Sequence, residues 1–146
     1  MFWKRHQGVP LSRIELLRRV PMFADLPDDL LAKVDTLVSE MFVDAGTTLM
    51  VEDEPGREAF IIAEGTADVL VRGSVVATAG PGALVGEMSL LDNQPRSATV
   101  VASTGLRILV MDPGQFATVI SDPHAAQWVA ASLSKRLRAA RNVATL

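Results

Sequence analysis

The chain has 146 residues, 49% hydrophobic and 21% charged, with a formal net charge of -3 at pH 7; that suits one globular domain with a sizeable core. It contains no cysteine, which excludes disulfides, thiolate catalysis and cysteine-ligated metal sites together. The two histidines, His6 and His124, are far apart in sequence, which argues against a multi-histidine metal site, and the acidic balance argues against a dedicated nucleic-acid binder.

Residues 1–11 read as an N-terminal arm. Met1-Phe2-Trp3-Lys4-Arg5-His6 is basic and aromatic, but no apolar stretch and small-residue cleavage site follow it as in a secretion signal. From Ser12 to Val20 the apolar positions Ile14, Leu16, Leu17 and Val20 recur at helical spacing, with Arg13, Arg18 and Arg19 between them. Pro21 interrupts this short amphipathic helix. Asp25-Leu26-Pro27-Asp28-Asp29 then supplies a proline and acids for a second helix, which carries Leu30, Leu31, Val34 and Leu37 and runs to about Ser39.

Between Met41 and Asp112 the texture changes to short segments rich in valine, isoleucine and threonine, separated by glycine, proline and acidic turns. Strands are expected at Met41–Val43, Thr47–Val51, Ala59–Ala63, Ala67–Arg72, Val75–Ala79, Ala98–Ala102 and Leu106–Met111. Many short strands at close spacing imply a sandwich or barrel. Asp112-Pro113 and Asp122-Pro123 each look like an N-cap followed by proline at the first helical position, so two closing helices are expected. The last, from about Pro123 to Arg141, has Ala126, Val129, Ala130, Leu133 and Leu137 on one side and ends in Lys135, Arg136, Arg138 and Arg141. No apolar run approaches the roughly 18 to 20 residues that span a bilayer, and with no targeting segment the expected location is the cytoplasm.

One stretch, Gly80 to Val100, interrupts the strands. Glycines open it, and Glu87 to Leu91 is long enough for one helical turn whose free N–H groups would point at an anion. Arg96 adds a permanent charge and a fork of donors matched to phosphate oxygens, with the Ser97 hydroxyl beside it. Glu87, as a carboxylate, only accepts hydrogen bonds, so its natural partner is a hydroxyl such as that of ribose. Apolar Val85, Met88, Ala98 and Val100 would face a flat base. Taken singly, Glu87 and Arg96 are usually a solvated surface pair worth under about 1 kcal/mol; the glycines and apolar turn around them favour the ligand reading.

Gly86-Glu87-Met88-Ser89-Leu90 and Pro95-Arg96-Ser97-Ala98-Thr99, at this separation, resemble the phosphate-binding cassette of cyclic-nucleotide-binding domains. These are the regulatory domains of catabolite-activator-type regulators, cyclic-nucleotide-dependent kinases and cyclic-nucleotide-gated channels. Gly56 through Phe60, Ile61 and Gly65 fit the family's early hairpin, so the resemblance covers about Leu16 to Arg138. It departs from the pattern at Val85 for the usual aromatic, at Ser89 for alanine, and at Arg57 where an aspartate often follows the glycine.

The resemblance implies a mainly β fold with flanking helices: an eight-stranded-type antiparallel β-roll or jelly roll (41–112) between N-terminal helices (12–40) and two C-terminal helices (113–141). It assigns Arg96 to the cyclic phosphate, Glu87 to the ribose 2′-hydroxyl, and backbone groups near Gly86 to Ser89 and at Ser97 and Ala98 to the cradle. It also makes the last helix a lid, with Arg136 stacking on or capping the base; Leu133 and Leu137 are alternatives on the same helix, and Trp128 reads as packing. A solvated basic helix end is the plain alternative for Arg136.

The expected function is a sensor that binds cyclic AMP in preference to cyclic GMP, with no chemistry, no cofactor and no membrane insertion, relaying occupancy through its closing helices. A metal-dependent cupin fails for lack of barrel histidines, and there is no G-x-S-x-G elbow. The alternative is a protein-interaction module on the same fold that binds no nucleotide. Five residues follow Arg141, too few for an output domain, so the expected partner is an effector on another chain, or a second copy in a homodimer, met through the terminal helices. Met1 suggests a natural start, with a C-terminal truncation or a stand-alone sensor as the two expectations.

Overall fold

A computed structural model of the chain describes residues 12–20, 23–86 and 94–127, together with 130, 131 and 134. The first helix, α1 (Arg13–Arg19), begins at a capping box: the Ser12 hydroxyl accepts from the Glu15 N–H and the Glu15 carboxylate accepts from the Ser12 N–H. Pro27 precedes α2 (Asp28–Leu37), whose first turn carries Asp28 and Asp29, acids that complement the helix dipole. Arg13 ties the two helices together, donating from Nε to Asp35 Oδ1 (2.9 Å) and from Nη2 to the Asp35 and Val38 carbonyls (2.6 and 2.9 Å).

Among the described residues eight strands follow: β1 (Ser39–Val43), β2 (Thr48–Met50), β3 (Ala59–Glu64), β4 (Ala67–Val71), β5 (Ser74–Ala79), β6 (Leu84–Val85), β7 (Thr99–Ala102) and β8 (Leu106–Met111). They form two four-stranded sheets, ordered β1-β8-β3-β6 and β2-β7-β4-β5, with every pairing antiparallel. This is the β-roll the sequence leads one to expect. Seven strands lie where expected to within one or two residues. The eighth, β6, lies inside the stretch read as an interruption, and it exists because Leu84 and Val85 pair with Ile61 and Phe60 of β3.

The pleat sorts the apolar residues into two cores. On β3 and β8, Phe60, Ile62, Leu106, Ile108 and Val110 point between the sheets, where they meet Ala67, Ala79, Val100 and Ala102. The alternate residues Ile61, Leu109 and Met111 point the other way, onto a layer of Leu17, Phe23, Leu31, Val34 and Phe116. Five consecutive residues of β3, Ala59 to Ala63, are therefore buried, the pattern of a strand covered on both faces. Arg107, on the helix side of β8, reaches Glu40 of β1 (3.0 Å) and Glu64 of β3 (3.5 Å), joining three neighbouring strands.

After β8, α3 (Pro113–Ile120) starts at a second capping box, in which the Asp112 carboxylate accepts from Gln115 N–H (2.8 Å) and Gln115 Oε1 accepts from Asp112 N–H (3.0 Å). Its buried Phe116 and Val119 join the helix-side core. Asp112→Ala is expected to cost about 1 kcal/mol, the usual value of such a cap, read as a lowered midpoint in chemical denaturation with an unchanged slope. A further helix covers residues 123–127, with Ala130, Ala131 and Ser134 also helical; Asp122 Oδ1 accepts from the His124 and Ala125 N–H groups at its start. The expected end near Arg141 lies outside the described residues. No helix among the described residues is long and apolar enough to cross a membrane.

Candidate functional site

The site is built around Arg96, the buried charged residue of the described chain, at 5% exposure. Its backbone is held first. The Arg96 N–H donates to the Glu54 carbonyl (2.9 Å) and the Arg96 carbonyl accepts from the Asp53 N–H (2.8 Å), so the acidic turn after β2 pairs with it much as a neighbouring strand would. Three residues on, Thr99 Oγ1 accepts from the Glu52 N–H (2.9 Å) and extends the same seam.

The side chain is held from the other side. Nη2 donates to the Glu58 carbonyl (2.7 Å) at the entrance to β3, and Nη1 donates to the Gly86 carbonyl (3.0 Å) at the exit from β6. Gly86 has φ of 89°, left-handed backbone that favours glycine. A Cβ there would also come within 2.7 Å of both Arg96 Nη1 and the Glu58 carbonyl oxygen. The three residues therefore close on one another at the point where the 87–93 segment begins.

Among the described residues both partners of the guanidinium are neutral carbonyls, and Arg96 forms no ion pair. Burial pushes its pKa below the usual arginine range, and the nearby Glu58 carboxylate partly offsets that. An arginine so placed still stays protonated at neutral pH. The arrangement is a fixed cation whose charge no bonded partner among the described residues cancels, a suitable receptor for an anion. The solvated-pair alternative fails on the arginine side, because Arg96 is buried.

Of the other residues expected at the site, Val85 is half-buried in β6 and packs on the inter-sheet core, Ala98 is buried, and Ser97 is exposed beside Arg96. Val100, expected to face a base, is 1% exposed and sits in the inter-sheet core. Glu87, Met88 and Ser89, and with them the helical turn expected at Glu87 to Leu91, lie outside the described residues, as do Trp128, Leu133, Arg136 and Leu137. The Glu58 carbonyl, which anchors Arg96, is absent from the sequence reading; a backbone oxygen leaves no mark in residue type, and only the neighbouring Gly56 hints at a close approach. Among the described residues no group of three histidine, aspartate or glutamate side chains could hold a metal ion.

Residues 40–122, which include all of the two sheets but Ser39 and also Arg96, match the cyclic nucleotide-binding domain family. The chain belongs to that family. This cyclic nucleotide-binding domain is 34% identical over 107 residues to a cyclic nucleotide-gated potassium channel of Mesorhizobium japonicum, a match covering 73% of the chain and 30% of the channel. It is 33% identical over 102 residues to a cAMP-dependent protein kinase regulatory subunit of Yarrowia lipolytica, covering 68% and 27%. Among solved structures, the catabolite activator protein of Thermus thermophilus superposes with a TM-score of 0.78 at 27% identity, covering 86% of this chain and 62% of that one. The domain spans less than a third of the curated relatives it matches.

Proposed function

We propose that the chain is the sensing part of a signalling protein and binds cyclic AMP in preference to cyclic GMP. The observation that carries this reading is Arg96, buried, anchored to the Glu58 and Gly86 carbonyls, and in no ion pair with a described residue. A guanidinium fixed before binding loses little freedom when a phosphate docks on it, and that raises affinity. In this reading Arg96 takes the cyclic phosphate, Glu87 the ribose 2′-hydroxyl, and backbone groups from Gly86 to Ser89 and at Ser97 and Ala98 the remaining oxygens. Val85 and Met88 line the base, and Arg136 of the closing helix caps it. The preference for cyclic AMP is supported by the likeness to a regulatory subunit whose name is cAMP-dependent.

Occupancy would reach an effector on another chain or a second copy through the terminal helices. Binding can bias those helices only as far as the ligand prefers one of their arrangements. Calorimetric titration tests the reading: cyclic AMP is expected to give a saturable one-to-one isotherm and to raise the melting temperature, as a ligand of the native state must. Absence of both heat and thermal shift with cyclic AMP and cyclic GMP, far above micromolar concentration, would overturn it. Direct competition between the two nucleotides decides the preference.

A further inference from the structure

We infer that Gly56, on the loop leading into β3, is a positioning residue: its missing side chain forms the slot in which the Arg96 guanidinium lies. A Cβ built on Gly56 falls onto the Nε, Cζ and Cδ atoms of Arg96. A glycine is usually explained by its backbone angles, but Gly56 is absent from the glycines of positive φ, which are Gly46, Gly65, Gly73, Gly82 and Gly86. Its φ lies outside the left-handed region, so the space taken up by Arg96, and not a left-handed backbone, is what calls for glycine here.

The obstruction cannot be relieved cheaply. Arg96 is held at its backbone by Asp53 and Glu54 and at its tip by Glu58 and Gly86. At its tip Gly86 also approaches it closely, since a Cβ there would meet Nη1 at 2.7 Å. The guanidinium thus lies against two bare α-carbons, one before β3 and one after β6, at the same end of that antiparallel pair. A methyl group at Gly56 must push the fork away from both carbonyls, and with it the donors offered to a phosphate. Gly56 touches no ligand in this account and acts through Arg96.

The affinity part of this inference rests on the nucleotide-binding reading above, whereas the steric part does not. The test is a double-mutant cycle of Gly56→Ala and Arg96→Ala, followed by thermal melts and by titration with cyclic AMP. Gly56→Ala alone is expected to melt below the parent and to bind cyclic AMP about tenfold or more weakly, a loss of about 1.4 kcal/mol. Added to Arg96→Ala, where the obstructing group is gone, it is expected to lower the melting temperature no further.

An equal melting loss in both backgrounds would overturn the inference, as would parent-like cyclic AMP affinity in Gly56→Ala. If Gly56→Ala does not fold, a double variant that folds like Arg96→Ala supports the inference, and one that also fails to fold refutes it. A parent that binds neither nucleotide defeats the sensor reading without any variant, and the melts then decide the steric claim alone.

Discussion

Arg96→Ala is expected to weaken cyclic AMP binding by about 2 to 4 kcal/mol, roughly 30- to 900-fold, the range for losing a charge-assisted contact whose partner stays in place. The same change removes the donors to the Glu58 and Gly86 carbonyls, and leaving such groups without partners costs on the order of 1 to 3 kcal/mol of stability. The two losses separate experimentally. Titration well below the variant's melting temperature reads the first, and denaturation without nucleotide reads the second. Arg96→Lys keeps a positive charge but not the planar fork, so it is expected to recover only part of the affinity. Unchanged affinity in Arg96→Ala would remove Arg96 from the phosphate site.

Phe23→Ala is expected to be the most damaging single change to the fold. Phe23 is 0% exposed and sits between α1 and α2, its N–H bonded to the Val20 carbonyl at 2.8 Å. Its ring belongs to the core shared by the helices and by Ile61, Leu109 and Met111. Truncating a buried phenylalanine costs about 3 to 5 kcal/mol, a large part of the 5 to 15 kcal/mol typical of a whole domain, and implies a fall on the order of 10 °C in melting temperature. Denaturation curves measure it. A loss below about 1 kcal/mol would show that the N-terminal helices add little to the stability of the sheets.

The strands were legible because most are bounded by glycine or acidic turns and carry β-branched residues, and α3 because Asp112-Pro113 marks its start. β6 was not, since two residues beside Gly82 and Gly86 carry too little alternation to reveal a strand; Phe60 and Ile61 create it by pairing. The division of eight strands between two sheets was equally hidden, because order within a sheet follows from long-range pairing and not from local pattern. At the site, the arginine was legible from its chemistry and from the motif around it. How it is held was not, because its anchors are the backbone oxygens of Glu58 and Gly86 and the carbonyl of one residue type is like that of another.

The position of β8 has a consequence for how the molecule is made. β8 is the inner neighbour of both β1 and β3, with Ser39 opposite Val110 and Ala59 opposite Met111, so the chain must close loops of roughly 70 and 50 residues before either strand gains that partner. Such distant pairings fold on the slow side, in about milliseconds to seconds. During synthesis the β4–β5 hairpin can form as soon as it leaves the ribosome, but β1 waits with an unpaired edge carrying Met41 and Phe42, about half exposed even in the finished fold. A nascent chain stalled before Leu106 is expected to be aggregation-prone and protease-sensitive, and to become resistant only once Met111 has emerged.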